Sequence, residues 1–458
     1  MRQILALLAF LLIGAPAFAA ARPNLVLLLT DDQRWDCLSC AGHPFLKTPN
    51  IDRLAAQGVH FRNAFVTTSI CCVSRASYMT GRMCRNHGVG DFSTPLPPRV
   101  LADSLPATLK AAGYRIGIFG KWGIGGREPR ELFDMWNAWG GQGEYLIQDG
   151  NELLHNSEFM ARRARQFLDG CRPDQPFCLI VLFKAPHDKF LPDSRDAHLF
   201  DDVTIPPPRT ATKAHFDSMP EFLRRSLGKT RADADISTPE KYQQYVKDYF
   251  RLIAGVDRAV GQILCELDRR RLTNNTVTVF ASDNGYFLGE RGLVHKWLMY
   301  EESIRVPLIV RDPRMPASMR GRQVDALALN IDVAPTMYDL AGLMPPPDVD
   351  GRSLRPLLEG RPVDWRKDFF YEHHFDANGT IPRVEGVRGE RWKYVFYPAE
   401  KPPYEQLFDL RSDPYEERDL ARNAAFSGDL ERMRRRYREY VAQLPPPVLP
   451  TPPKKPSR

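Results

Sequence analysis

Four segments of the chain place polar residues directly after a short apolar run. One such segment alone would predict only a capped turn, because Asp and Asn are common turn residues. In open α/β sheets, ligands bind beyond the carboxyl ends of the strands, so four such ends with complementary chemistry predict one shared site. The segments are Thr30-Asp31-Asp32, Gly120-Lys121-Trp122, Lys184-Ala185-Pro186-His187 and Ser282-Asp283-Asn284-Gly285.

Two of these segments supply oxygen ligands only. Three carboxylates and one amide are offered by Asp31, Asp32, Asp283 and Asn284. Carboxylates crowded together repel one another, and a divalent cation would neutralise them. A set of oxygen donors that includes an amide is typical of Ca²⁺ or Mg²⁺ sites and not of Zn²⁺ sites. We therefore expect a metal site, with Ca²⁺ as the expected ion and Mg²⁺ as the alternative.

A nucleophile is suggested by a further segment around Cys71. The small and helix-tolerant residues from Cys72 to Thr80, followed by Gly81, predict a short helix. Cys71 then lies at the helix N-terminus, where the positive end of the helix dipole stabilises an anionic nucleophile. The residues alone leave a second interpretation open, which is a buried structural cysteine or a disulfide.

The elements that must hold these residues alternate along residues 23–340, where short apolar runs are followed by amphipathic stretches. This alternation predicts a parallel sheet covered by helices. Continuous apolar runs, typical of strands buried on both faces, occur at 25–29, 116–119, 177–183 and 277–281. Residues 205–240 have no clear period and are expected to form a long surface insertion.

The two ends of the chain differ from its body. Residues 1–20 have the positive start, apolar run and small residues of a cleaved secretory signal peptide, and the run is too short for a stable membrane span. We expect an exported protein, periplasmic or extracellular. A composition shift at Pro345-Pro346-Pro347 separates a catalytic domain, residues 21–350, from a C-terminal subdomain, residues 351–445. The Pro-rich tail 446–458 cannot bury apolar surface and is expected to be disordered.

Composition excludes several classes of protein. The 458 residues are 43% hydrophobic and 26% charged, which excludes collagen-like, coiled-coil and wholly disordered chains. The net charge of +7 is a mild basic bias that suits an anionic substrate but lacks the dense positive charge of a nucleic-acid binder, so no nucleic-acid partner is expected. Eight cysteines are too few for a disulfide scaffold, although Cys171 and Cys178 flank a loop and are able to pair.

The segment from Cys71 to Gly81 resembles the signature of the formylglycine-dependent sulfatases, Cys-x-Pro-Ser-Arg-x-x-x-Thr-Gly, in which the cysteine becomes Cα-formylglycine. The resemblance extends over nearly the whole mature chain and implies the alkaline-phosphatase-like α/β/α sandwich. That fold has a mostly parallel central sheet and a smaller C-terminal subdomain with an antiparallel sheet. The other matching motifs, in family order, are Thr30-Asp31-Asp32-Gln33, Thr48-Pro49-Asn50-Ile51-Asp52, Ser282-Asp283-Asn284-Gly285, Tyr300-Glu301-Glu302-Ser303-Ile304-Arg305-Val306-Pro307 and Asp409-Leu410-Arg411-Ser412-Asp413-Pro414.

The resemblance also implies a role for each matching residue. The four oxygen donors match the family's cation ligands, and Cys71, as hydrated formylglycine, matches the nucleophile. Arg75 and Lys121 match residues that hold the formylglycine and stabilise charge around the sulfuryl group. His187 matches the histidine beside the sulfate, and Lys296 matches a sulfate-binding or leaving-group residue.

Three positions depart from the family pattern. Val73 stands where the maturation motif has Pro or Ala, which bears on recognition by the oxidising enzyme. Gly123 stands where the pattern Gly-Lys-Trp-His has its histidine, so one contact to the formylglycine comes from elsewhere or is absent. Arg291 stands where many relatives have histidine, for which His295 is either the substitute or a solvated loop residue.

The sequence therefore predicts a sulfuric ester hydrolase that acts on a sulfated saccharide after maturation by a formylglycine-generating or anaerobic enzyme. Two alternatives remain: a phosphodiester or phosphonate monoester hydrolase of the same superfamily, and a non-catalytic binder of sulfated glycans. Four tryptophans suit stacking on sugar rings, although they would equally suit the core. They are Trp122, Trp136, Trp139 and Trp297.

Overall fold

The computed structural model describes residues 22–450 and contains one large sheet and four smaller ones. The signal peptide predicted over residues 1–20 and the end of the predicted tail, residues 451–458, lie outside the described residues. The strands, in chain order, are β1 (Asn24–Thr30), β2 (Val59–Phe61), β3 (Ala64–Phe65), β4 (Arg115–Lys121), β5 (Met135–Trp139), β6 (Leu146–Asp149), β7 (Glu152–His155), β8 (Phe177–Leu182), β9 (Thr276–Ser282), β10 (Phe287–Leu288), β11 (Val294–His295), β12 (Leu308–Arg311), β13 (Arg322–Val324), β14 (Ala328–Leu329), β15 (Asp368–His373), β16 (Val384–Gly389), β17 (Trp392–Tyr397) and β18 (Tyr404–Asp409).

The large sheet has eight strands in the order β13-β2-β12-β9-β1-β8-β4-β5. Strands β9, β1, β8, β4 and β5 are parallel, and β12 pairs antiparallel with both β9 and β2. The four apolar runs found in the sequence are β1, β4, β8 and β9, and they are adjacent in the sheet. The predicted α/β fold with a mostly parallel central sheet is confirmed.

Helices cover both faces of this sheet, because side chains of β1 alternate between two cores. Leu27 packs in the core that contains residues of α2, α5 and α12, and Leu28 packs in the core that contains residues of α1, α6 and α10. The α-helices are α1 (Pro49–Gln57), α2 (Cys71–Thr80), α3 (Cys84–His87), α4 (Pro98–Ala102), α5 (Leu105–Ala111), α6 (Asn156–Asp169), α7 (Lys213–Ser218), α8 (Glu221–Arg224), α9 (Leu227–Asp235), α10 (Pro239–Arg269), α11 (Glu301–Ile304), α12 (Val333–Leu340), α13 (Arg355–Leu358) and α14 (Ser427–Gln443).

A second sheet of four antiparallel strands, β15-β16-β17-β18, forms the C-terminal part, and α14 packs against it. Its first strand reaches the region before α2: the backbone N–H of Glu372 donates to the carbonyl of Thr67, and that of Ser69 donates to the hydroxyl of Tyr371 at 3.2 Å. This sheet therefore supports the segment that leads into Cys71.

Two predicted irregular regions make specific contacts. Within residues 205–240, helices α7, α8 and α9 form, and α9 packs beside β11, which precedes Lys296. Of the predicted tail, residues 446–450 are described, and Val448 packs beside Gly90 against the hydrophobic core that contains Leu27. Over residues 22–450 the structure has no helix that is both long and apolar enough to cross a membrane.

Candidate active site

The four strand ends meet because their strands are neighbours in the order β9-β1-β8-β4. Asp31 and Asp32 follow β1, Lys121 is the last residue of β4, and Asp283 follows β9. These four side chains are completely buried, each with a relative exposure of 0%. A fold that buries three carboxylates must supply partners or a cation, since an unpaired buried charge costs several kcal/mol.

Each carboxylate has its own cationic partner. Lys121 Nζ lies 2.5 Å from Asp31 Oδ2, Arg75 Nε lies 2.7 Å from Asp283 Oδ2, and Lys296 Nζ contacts Asp32 Oδ1. Burial by itself raises the pKa of Asp31, but the charges of Lys121, His187, Arg75 and Lys296 outweigh it and hold that pKa well below its usual range. The cluster therefore keeps the carboxylate of Asp31 ionised and fixed in direction.

Acceptor atoms are nevertheless left free at the rim of the sheet. Within residues 22–450, Asp32 Oδ2 and Asn284 Oδ1 are buried and have no hydrogen-bond partner, while Asn284 Nδ2 donates to Asp32 Oδ1. Burial, and then the charges of Asp31 and Asp32, raise the pKa of Asp283 to about 6. Unpaired oxygens beside crowded carboxylates fit a hard divalent cation held by the four predicted ligands.

Cys71 is the first residue of α2, and its thiol faces this cluster. Sγ lies 3.2 Å from Asp31 Oδ1 and 3.2 Å from Lys296 Nζ. The predicted helix and its end at Gly81, which has a φ of +67°, are present. The expected stabilisation of a thiolate is absent. Burial, and next the charge of Asp31, raises the pKa of the Cys71 thiol well above its usual value. The unmodified cysteine is therefore a weak nucleophile here.

The remaining predicted residues lie at the same edge. A ring nitrogen of His187 comes within 4.8 Å of Cys71 Sγ and of a carboxylate oxygen of Asp31. His187 Nε2 is 3.7 Å from Asp32 Oδ2. Lys296 bridges Asp32 and Cys71, as described above. All nine residues singled out in the sequence thus surround one small volume.

The three departures from the family pattern have different surroundings. Gly123 has a φ of +72°, and an added Cβ would lie 3.1 Å from Cδ of Arg75, so this backbone packs directly on the arginine. Val73 is buried in the hydrophobic core. Arg291 points to Glu302 at 3.2 Å and to the carbonyl of Tyr415, so it is held by neighbours outside the cluster around Cys71.

His295 is buried and not a solvated loop residue. Its ring stacks on Trp297, with centroids 5.2 Å apart, and its Nε2 lies 3.7 Å from Asp188 Oδ2. Trp122 belongs to the core, whereas Trp297 stands beside Lys296 and is only partly buried. Of these two tryptophans, Trp297 has the better position for a substrate contact.

Two residues at the site were missed in the sequence. Asp188 Oδ1 lies 2.9 Å from His187 Nδ1, and the hydroxyl of Tyr145 donates to the backbone carbonyl of His187. Asp188 was visible as an acidic neighbour of a candidate histidine at a strand end. Tyr145 gave no signal, because it lies 42 residues from His187 in the chain.

All eight cysteines are free in the described chain, including Cys171 and Cys178, so the pairing considered for these two is absent. Cys72, which adjoins the candidate nucleophile, is completely buried in the core. Burial raises the pKa of its thiol to about 12. Cys72 is therefore a packing residue in this structure.

Comparison with known families gives two matches. The family described as Sulfatase matches residues 23–343, and the family described as N-sulphoglucosamine sulphohydrolase, C-terminal, matches residues 289–443. Among curated proteins, the chain is 29% identical to an N-acetylglucosamine-6-O-sulfatase of Bacteroides thetaiotaomicron, over 89% of this chain and 84% of that protein. It is 28% identical to a choline-sulfatase of Rhizobium meliloti, over 88% of this chain and 83% of that protein.

Solved structures have the same fold. One is a protein in complex with its substrate D-glucosamine-2-N,6-O-disulfate, with a TM-score of 0.80 and 26% identity, covering 92% of this chain and 98% of that one. Another is a phosphonate monoester hydrolase of Agrobacterium radiobacter, with a TM-score of 0.77 and 24% identity, covering 92% of this chain and 96% of that one. At that identity the second likeness concerns the fold alone.

Proposed function

Since this chain belongs to the sulfatase family, it is a sulfuric ester hydrolase, and we propose that it removes sulfate from a saccharide. The observation that carries this proposal is the position of Cys71, whose thiol faces buried cations and carboxylates at the rim of the sheet. A site of this kind suits a tetrahedral anion, because its ammonium and guanidinium groups are fixed before the substrate arrives.

Two groups that the family implies fit the residues present. Asp31, Asp32, Asp283 and Asn284 would hold a divalent cation, since two of their oxygens are unpaired in the interior. Formylglycine formed from Cys71 would supply, as its hydrate, an oxygen that attacks sulfur and a second hydroxyl that permits release of sulfate. The cation would supply positive charge to the sulfuryl oxygens and to the nucleophile.

The chain's own side chains then have distinct tasks. Arg75 and Lys121 are positioned by Asp283 and Asp31, and they stabilise negative charge next to residue 71. Lys296 is placed between Asp32 and Cys71, where an ammonium group can bind sulfate or assist the departing oxygen. His187 stands beside Asp32 on the open side of the cluster.

A sulfated saccharide is the proposed substrate class. It is supported by the curated relative named as an N-acetylglucosamine-6-O-sulfatase. It is supported also by the similar solved structure that contains D-glucosamine-2-N,6-O-disulfate as its substrate. The partly buried ring of Trp297 beside Lys296 offers a face on which a sugar can pack. Export through the predicted signal peptide, and maturation of Cys71 by a formylglycine-forming enzyme, complete the proposal.

The test is a parallel assay of purified, matured protein on a panel of sulfated saccharides, an aryl sulfate and a bis-aryl phosphate. We expect release of sulfate from at least one saccharide, with a kcat/KM above that for either aryl ester. Cys71→Ala protein from the same host is the control for contaminating activity. Preference for the phosphate diester would favour a phosphohydrolase, and tight saccharide binding without turnover by fully matured protein would favour a non-catalytic binder.

A further inference from the structure

The carboxylate of Asp188 contacts the ring of the preceding residue, His187. Asp188 Oδ1 lies 2.9 Å from His187 Nδ1, and the backbone carbonyl of Asp188 also contacts Nδ1. Both partners are acceptors, so Nδ1 must carry the hydrogen. In the neutral imidazole, Nε2 then has a free lone pair.

The other side of the imidazole ring faces the reacting groups. Nε2 is 3.7 Å from Asp32 Oδ2, an oxygen without a hydrogen-bond partner. A ring nitrogen also lies within 4.8 Å of Cys71 Sγ. The tautomer chosen at Nδ1 therefore decides whether Nε2 offers a lone pair or an N–H to a group bound at residue 71.

The backbone of His187 is held as well. Its carbonyl accepts a hydrogen bond from the hydroxyl of Tyr145, whose ring stacks on His155 with centroids 5.4 Å apart. This contact fixes where the residue stands but does not act on the ring nitrogens. Orientation of the ring is left to the two acceptors of Asp188, its carboxylate and its backbone carbonyl.

We propose that Asp188 is a positioning residue that fixes His187 in the Nδ1–H tautomer, with Nε2 directed at the substrate-binding edge. The inference rests on the proposed sulfatase function for its catalytic consequence, whereas the tautomer itself does not depend on it. A carboxylate behind a working histidine also restrains the rotation of the ring, so its loss affects the reacting complex more than substrate binding.

A competing role for Asp188 would be to hold His295. The distance from Asp188 Oδ2 to His295 Nε2 is 3.7 Å, beyond hydrogen-bond length, and His295 Nε2 has no hydrogen-bond partner among the described residues. His295 is instead supported by its stacking on Trp297. The geometry thus favours action through His187.

The experiment is a double-mutant cycle on matured enzyme with a saccharide or aryl sulfate substrate. Asp188→Asn, which keeps the size of the side chain, should lower kcat by about 10- to 100-fold with KM changed less than about threefold. In the His187→Ala background the same change should have almost no further effect, because residues that act as a unit are not additive. An equal loss in both backgrounds would overturn the proposal.

A second cycle sharpens this test. The cycle of Asp188→Asn with His295→Ala should be additive within about 0.5 kcal/mol. Coupling to His295 as strong as that to His187 would contradict the assignment.

A readout without turnover separates this inference from the proposed function. Nitrogen-15 NMR of histidine-labelled protein, with His187→Ala used for assignment, should give the Nδ1–H tautomer in wild type and a shift toward Nε2–H in Asp188→Asn. An Nε2–H signal in wild type would refute the proposal even in an active sulfatase. The expected tautomer in a protein without sulfatase activity would refute only the function.

Discussion

The cluster around Cys71 and a second cluster in the C-terminal part are built from the same kinds of side chain. In the second, Arg85 joins two carboxylates, with 2.7 Å to Glu372 and 2.7 Å to Glu385, and His374 bridges the same pair at 3.2 Å and 3.1 Å. Both clusters are buried. In each, the ligand atoms of the acidic side chains and of one further residue, Cys71 in the first and His374 in the second, lie within 4.8 Å of one another.

What separates the two clusters is the set of acceptor atoms that remain free. In the second, the planar guanidinium of Arg85 already occupies the space between the carboxylates, and the hydroxyl of Tyr437 donates to Glu385. Within residues 22–450, a single oxygen of these two carboxylates, Glu372 Oε1, is left without a hydrogen-bond partner. In the first, unpaired oxygens belong to Asp32 and Asn284, which contact each other and thus lie side by side. Charge pairing therefore predicts stability in both clusters, whereas adjacent free acceptors predict a ligand only in the first.

The largest expected effect is at the nucleophile. Cys71→Ala should reduce turnover by more than about 10³-fold, because alanine cannot be converted to formylglycine and the site then lacks both hydroxyls of its hydrate. Cys72→Ala is the matched control, since that cysteine packs in the core, and it should stay active.

Peptide mass spectrometry tests the same residue in active enzyme. Specific activity should rise in proportion to the fraction of Cys71 that is converted to formylglycine, and Val73 makes incomplete conversion the expected case. An unmodified Cys71 thiol throughout a fully active sample would refute this mechanism.

The next effect distinguishes the clusters by metal content. Asp283→Asn should lower bound calcium or magnesium, measured by elemental analysis, and cut activity by at least about 10-fold. Asn is preferred to Ala because Asn keeps an oxygen that can accept from Nε of the buried Arg75, whereas Ala would remove that partner.

Glu372→Gln is the matched change in the second cluster. It should leave metal content and kcat unchanged and lower the free energy of unfolding by about 1–3 kcal/mol, through the weakened bond to Arg85. Full activity of wild type after exhaustive chelation, with metal loss verified, would contradict the cation site.

A substrate-dependent effect is expected at Lys296. Because its ammonium group contacts Asp32 and Cys71, Lys296→Ala should damage turnover on saccharide esters, which are poor leaving groups, more than on an activated aryl sulfate. We expect the two losses in kcat/KM to differ by about 10²-fold. Equal losses would leave sulfate binding as its role.

The sheet and the site edge could be predicted because their signal is local. Continuous apolar runs marked β1, β4, β8 and β9, and the polar residues after them lay within a few positions of each strand end. The antiparallel insertion of β12 between β2 and β9 could not be predicted, because it joins segments far apart in the chain. The raised pKa of the Cys71 thiol could not be predicted either, because it depends on burial and on Asp31, which lies 40 positions away in the chain.

The smallest expected effect is a pH dependence of stability in the second cluster. Burial alone would lower the pKa of His374, but its hydrogen bonds to Glu372 and Glu385 outweigh burial and raise that pKa above the ordinary value of 6.5. A raised pKa in the folded state means that protonation stabilises the fold. This contribution is complete below about pH 6.5 and is lost as the pH rises through the folded pKa.

Urea unfolding of wild type and His374→Gln should therefore differ by about 1–2 kcal/mol near pH 6 and by less near pH 9, because only wild type loses charged hydrogen bonds over that range. Arg85 keeps its charge throughout, so the carboxylates stay paired and the fold persists. At each pH the two proteins should hold the same amount of metal, since this cluster has no role in holding the cation. A stability difference that grew toward high pH would mean that the folded pKa of His374 is lowered, so that burial outweighs its hydrogen bonds to Glu372 and Glu385.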